Sequence, residues 1–221
     1  MPEKLAGIYE EKKRRVLGEL LKSGEIKNSS AWLAIHSSSK EHLLTYESRG
    51  LVVAVSGSGS LPPEHPQSHE AAMLASMIVS QGGVLLHGGR STGIMHAVAQ
   101  AVPKKSIGIV FPELEKEMDP EVIAVTVNAP QSRVELLATC APIMVLFRGG
   151  LGTLMVLMRA IVHLRNRAYH PEQFPQLVFV HNYWIGLLTT MMNMGSLPRE
   201  FLSELKFFDR ADQVISQIPK I

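Results

Sequence analysis

The stretch Ile143-Met144-Val145-Leu146-Phe147-Arg148-Gly149-Gly150-Leu151-Gly152-Thr153 decides the fold. Ile143 to Phe147 predict a short buried strand, Arg148 to Thr153 a glycine loop, and the Gly- and Pro-free run Leu154–Arg165 a helix. Strand, glycine loop and helix in that order point to an anion cradle. Glycine lets backbone N–H groups approach a phosphate, and the helix N-terminus adds positive partial charge. Thr153 is placed to cap the helix or to offer its hydroxyl to a phosphate oxygen. The competing reading of one such loop is a tight turn that binds nothing.

A second unit argues against accident. Val84-Leu85-Leu86-His87 predicts a strand, Gly88-Gly89-Arg90-Ser91-Thr92-Gly93 a loop and Ile94–Ala101 a helix. In an open parallel sheet both loops leave the carboxyl ends of their strands, the edge where ligands sit. Each loop carries an arginine, Arg90 and Arg148, whose planar fork suits bidentate phosphate recognition.

Outward from these units, Leu51–Val55 is a continuous apolar run, as expected of a strand covered on both faces. It opens into Ser56-Gly57-Ser58-Gly59-Ser60, a small-residue loop that lacks the third glycine of a dinucleotide fingerprint. His69–Ser80, Ser132–Cys140, Trp184–Met194 and Ala211–Ile218 predict helices, and Ser106–Phe111, Val122–Val127 and Leu177–Val180 predict strands. Strands alternating with helices give an α/β chain with a doubly wound, mostly parallel Rossmann-like sheet and helices on both faces. Residues 1–50, with a helix over Lys4–Lys22, read as a helical N-terminal extension, and residues 51–221 as the main domain.

Hydrophobic residues make up 46% of the chain and charged residues 19%, enough apolar material for a real core. A net charge of +2 excludes a global basic field, so nucleic acid is not an expected partner and local arginines must carry anion recognition. Lys12-Lys13-Arg14-Arg15 can meet RNA or an acidic partner, but a solvated helix face is the preferred reading. Cys140, the single cysteine, excludes an internal disulfide and reads as a buried, inert thiol in a reducing compartment. The N-terminus has no apolar signal segment, and no apolar run approaches the roughly 20 residues that span a bilayer. A soluble, cytoplasmic protein without a membrane partner is expected. His65 and His69 have metal-ligand spacing, but the other ligands are missing and Pro66 at a helix start explains the segment. No metal and no cofactor are expected.

The order and spacing of the two loops resemble the Lonely Guy (LOG) family from Leu51 to the C-terminus. The family motif Gly-Gly-Gly-x-x-Gly-Leu-Met-Gly is matched by Gly88-Gly89-Arg90-Ser91-Thr92-Gly93-Ile94-Met95-His96. Its second motif, Pro-Gly-Gly-x-Gly-Thr-x-x-Glu, is matched by Arg148-Gly149-Gly150-Leu151-Gly152-Thr153-Leu154-Met155-Val156, and the arginine on the preceding helix falls on Arg133. His181–Leu188 is similar to the strand-end segment that follows, and the insert Tyr169–Pro175 looks like the bacterial nucleotide-nucleosidase branch. The resemblance implies a homodimer or higher homo-oligomer that binds a nucleoside 5′-monophosphate or related phosphorylated small molecule. Many members cleave that ligand to base and ribose 5-phosphate. It further implies that Gly88, Gly89, Arg90, Gly93, Arg148, Gly149, Gly150, Gly152 and Thr153 bind phosphate or nucleotide, and that Arg133 belongs to the catalytic site.

The departures bear on activity. The motif glutamate, the family's acid/base, is Val156 here. Valine moves no proton, and loss of such a group costs about 10²–10⁴ in rate. The family's Arg-Lys pair reads Arg133-Val134, while the motif proline, third glycine and last glycine are Arg148, Arg90 and His96. Glu135 lies on a different helix face from Arg133 and is a poor stand-in. His87 and His96 flank the first loop as candidate substitute acids, with His87 alternatively a hydrogen-bonded strand-end side chain. The preferred reading is a LOG-like binding protein with weakened or lost phosphoribohydrolase activity. Its alternatives are an active nucleosidase that uses a different acid, and a binding protein like the molybdenum-cofactor carriers that this fold also resembles.

Overall fold

The computed structural model describes residues 52–127, 129–139, 141–166 and 177–218. The expectations for the extension 1–50, for Leu51, for Cys140 and for the insert Tyr169–Pro175 lie outside the described residues. In chain order come β1 (Val52–Ser56), α1 (Pro66–Ser80), β2 (Val84–His87), α2 (Gly93–Ala101), β3 (Ser106–Val110), β4 (Ile123–Thr126) and α3 (Pro130–Thr139). They are followed by β5 (Ile143–Leu146), α4 (Leu151–Asn166), β6 (Leu177–His181), α5 (Ile185–Asn193), α6 (Arg199–Glu204), β7 (Leu205–Phe208) and α7 (Ala211–Ile215). Short 3-10 turns cover Pro112–Glu117 and Asn182–Trp184.

The strands form one seven-stranded sheet in the order β4-β3-β2-β1-β5-β6-β7. Every neighbouring pair is parallel, so the doubly wound expectation holds. Successive side chains of a strand point to opposite faces, and both faces of this sheet are covered. Along β1, Val53 and Val55 join Leu74 and Ile78 of α1, Ile94 and Val98 of α2 and Val214 of α7 in one core. Val52 and Ala54 face the other core, with Leu136 of α3, Leu157 and Ile161 of α4 and Trp184. This two-sided burial is why the strands read as unbroken apolar runs. Among the described residues, no helix is long and apolar enough to cross a membrane.

Three local differences from the sequence reading have physical causes. α1 opens at Pro66, earlier than His69, because proline has no N–H to lose in a first turn and the His65 ring caps the helix by accepting the Gln67 N–H at 3.1 Å. α4 opens at Leu151, so Gly152 and Thr153 lie in its first turn, and Thr153 is a helical residue rather than the cap. α6 and the edge strand β7 are additions to the elements that the sequence predicts. β7 is the short run Leu205-Lys206-Phe207-Phe208 with Lys206 exposed, and it is defined by pairing with β6 rather than by its own pattern.

From β1 the chain winds outward to β4, then returns to β5 on the other flank of β1 and winds outward to β7. The carboxyl ends of β1 and β5 therefore flank the topological switch point, where the loops part and leave a crevice. The packing of that crevice separates its glycines. Gly93 has φ +63°, and a Cβ there would run into the Ser58 carbonyl, whereas a Cβ on Gly152 meets nothing within 4 Å. Denaturant unfolding should show Gly93→Ala destabilising the protein by roughly 1–3 kcal/mol and Gly152→Ala neutral or stabilising by up to about 1 kcal/mol.

Candidate functional site

The site is assembled around the loop after β1. The Phe147 N–H still donates to the Ser56 carbonyl at 2.9 Å, as in the sheet. One residue pair further on, the Ser58 N–H donates to the Arg148 carbonyl at 2.8 Å and the Ser58 carbonyl accepts the Ile94 N–H at 2.9 Å. The β1 loop thus ties the second glycine loop to the start of α2.

The first glycine loop is consequently closed from within. Ser58 occupies the N-terminus of α2, and Gly93 makes room for it. Gly89, at φ +72°, lies on β3, where its Cβ would stand 3.1 Å from the Gly108 Cα. Gly88 lies directly on the Arg133 guanidinium. Arg133 reaches this edge from α3, with Nε donating to the Ile109 carbonyl at 2.7 Å and Nη2 to the Gly88 carbonyl at 2.9 Å. Burial first, and then the charge of Arg90, lower the Arg133 pKa to about 10, which leaves it a cation at neutral pH. Arg90 itself pairs with Glu117. The backbone around that pair forms a small antiparallel bridge: Ser91 N–H donates to the Glu117 carbonyl at 2.7 Å and Asp119 N–H to the Gly89 carbonyl at 2.8 Å.

The second loop is open. The first intrahelical bond of α4 runs from the Leu154 N–H to the Gly150 carbonyl, 3.0 Å, so the N–H groups of Leu151, Gly152 and Thr153 have no intrahelical acceptor. A Cβ on Gly150 or on Gly152 would meet nothing within 4 Å. Thr153, 4% exposed, packs its hydroxyl beneath Gly149. The Arg148 guanidinium lies 5.0 Å from the centre of the Tyr183 ring, a cation–π contact at the β6 side. The backbone N–H of Arg148 donates to Oε1 of Gln67 at 2.9 Å, and the Gln67 amide nitrogen is 3.3 Å from Nδ1 of His181. Gln67 is a buried brace that sequence reasoning missed, since a single polar residue in the first turn of a helix carries no signal. Trp184 completes the wall by donating from Nε1 to the Phe147 carbonyl at 2.9 Å.

The fold brings all the predicted site residues to one edge and assigns the histidines different roles. His87 is fully buried, with Nδ1 accepting the Gly89 N–H at 3.2 Å and Nε2 3.1 Å from the Ser106 hydroxyl. Burial chiefly drives its pKa down to about 4, so it is a neutral strand-end side chain and not an acid. His96 sits on α2 with Nδ1 2.6 Å from a carboxylate oxygen of the fully buried Asp119, which also accepts the Glu121 N–H at 2.9 Å. Val156 is 2% exposed and packs in the core, so no titratable group stands where the motif glutamate would. Glu135 faces α4, paired with Arg159 and 3.4 Å from His163. Burial raises its carboxyl, but hydrogen bonds and charge from these partners win and hold it at about 2. It takes no part in the loops.

The model of the SLOG cluster4 family matches residues 50–166, more than half of the chain. No curated protein matches the sequence. Among solved structures, the molybdenum cofactor binding protein of the phototrophic bacterium Rippkaea orientalis is similar, with a TM-score of 0.60 and 21% identity over 77% of this chain and 96% of that one. The molybdenum cofactor carrier protein of Chlamydomonas reinhardtii gives 0.59 and 19% over the same shares. DNA processing protein A of Helicobacter pylori gives 0.53 and 14% over 76% and 80%. At these identities the likeness is one of fold.

The pKa of His87 makes stability pH-dependent. Its folded value of about 4 lies below the ordinary 6.5, so the unfolded chain takes up the proton first and stability is lost as the pH falls from about 6.5 towards about 4. At pH 5 the loss amounts to roughly 2 kcal/mol. Unfolding of the wild type and of His87→Gln at pH 7.5 and pH 5 should show the gap between them shrinking by about that amount at the lower pH.

Proposed function

The chain belongs to the SLOG cluster4 family, and from that premise we propose that it binds a nucleoside 5′-monophosphate or related phosphorylated ligand at the switch-point edge, with N-glycosidic hydrolysis weakened or lost. The observation that carries this reading is the open start of α4. There the N–H groups of Leu151, Gly152 and Thr153 precede the first helical hydrogen bond, and Gly150 and Gly152 leave the approach clear. Gly149 and Thr153 shape that cradle, and Arg148 lies beside it. Gly88, Gly89 and Gly93 contribute indirectly, by letting Arg133, β3 and the β1 loop pack at the same edge. The weakened chemistry rests on Val156, a core side chain in the place of a proton carrier.

Two alternatives have their own support. Active hydrolysis would fall to His96, whose ring is partly exposed and held at Nδ1 by Asp119. A phosphorylated pterin would present the same phosphate to α4, a reading favoured by the fold shared with the Rippkaea orientalis and Chlamydomonas reinhardtii proteins. The proposal includes a cytoplasmic protein acting as a homodimer or higher homo-oligomer. Leu151, Met155 and Val162, 80%, 52% and 42% exposed along α4, offer an apolar strip for a second copy.

Isothermal titration with a panel of nucleoside 5′-monophosphates should show binding that the parent nucleosides lack. Ribose 5-phosphate release at high protein concentration should stay at background. Gly152→Asp should leave the fold intact, since a carboxylate suits a helix N-terminus, yet weaken binding at least about tenfold by repelling the phosphate. Clear turnover would contradict the reading and make His96→Ala the next variant.

A further inference from the structure

Across the crevice from α4, two guanidinium groups crowd the end of β2. Arg133 reaches the Gly88 carbonyl from α3, and Arg90 lies over the β1 loop, its Nη1 3.1 Å from where a Cβ on Gly59 would stand. The two are close enough for the Arg90 charge to depress the Arg133 pKa. Like charges brought together in this way repel unless an anion is shared between them.

Arg90 is only loosely committed. Its partner is Glu117, but the two side chains are 35% and 48% exposed, and a pair so solvated contributes little. Its Nε is buried and meets no acceptor among the described residues, which is unfavourable for a donor. The backbone beneath is held independently, by the bonds from Ser91 to Glu117 and from Asp119 to Gly89. Arg90 can therefore change partner by side-chain rotation alone. β2 and β5 lie on either flank of β1, so their ends are two strand spacings apart, roughly 10 Å.

We propose that Arg90 and Arg133 bind a second acidic group of the ligand, roughly 10 Å from the phosphate held at α4, and that this group displaces Glu117 from Arg90. The ligand class is thereby narrowed to phosphorylated molecules that are anionic at both ends, such as a nucleotide whose base is ionised. A neutral far end leaves Arg90 on Glu117. An anionic one accepts from the Arg90 Nε and lies between both cations. This rests on the phosphate reading above.

The test is isothermal titration at pH 8 with guanosine and xanthosine 5′-monophosphate, whose purines differ in that xanthine is deprotonated there. Wild type should prefer the xanthosine nucleotide by about tenfold or more, the scale of one charge-assisted hydrogen bond. Arg90→Ala should reduce the preference to near unity, and Glu117→Gln should widen it by about two- to fivefold. Equal binding of both nucleotides to wild type, or a preference that survives Arg90→Ala, overturns the second anion site while leaving the phosphate reading intact. If neither nucleotide binds wild type or Glu117→Gln, the phosphate reading fails and this inference fails with it.

Discussion

Both backbone polar groups of Ser58 are committed to other segments: its N–H to the Arg148 carbonyl just past β5 and its carbonyl to the Ile94 N–H at the start of α2. Buried backbone groups must be paired, and an orphaned one costs about 1–3 kcal/mol. The path of the β1 loop is therefore set by two partners on opposite sides of the switch point. Everything else at the edge depends on that path. It seals the N-terminus of α2, requires glycine at position 93, and leaves the N-terminus of α4 facing the crevice.

The two glycine loops, alike as words, thus do different physical work. In the first, glycine removes a Cβ so that protein can pack on protein: Arg133 on Gly88, β3 on Gly89, Ser58 on Gly93. In the second, Gly150 and Gly152 face open space beside amide groups that have no helical acceptor. The cations follow the same division. Arg133 and Arg90 stand over the sealed loop, while Arg148 turns away to the Tyr183 ring. The edge thus has backbone donors at one end and guanidinium groups at the other, while Val156 is packed in the core.

The fold was largely legible because two-sided burial writes strands as apolar runs, and β1, β2, β5 and β6 all read that way. The LOG-like resemblance drawn from the two motifs agrees with the SLOG family that the chain belongs to. What stayed hidden depends on tertiary contact. β7 has a weak pattern of its own and exists by pairing with β6. Gln67 acquires meaning only when α1 brings it against Arg148. The start of α4 at Leu151 was obscured by Gly152, a poor helix former tolerated in a first turn. For His87 two readings stood open, and only the Gly89 N–H and the Ser106 hydroxyl on its ring decide for the neutral strand-end side chain.

In the proposed reading phosphate is held at α4 and not at α2. Backbone amide chemical shifts followed during titration with adenosine 5′-monophosphate test it most directly. The largest shifts are expected at Gly150, Leu151, Gly152 and Thr153, with Gly93 and Ile94 little moved because Ser58 already occupies that helix start. Shifts concentrated at Gly93 and Ile94, with Leu151–Thr153 unchanged, would contradict it.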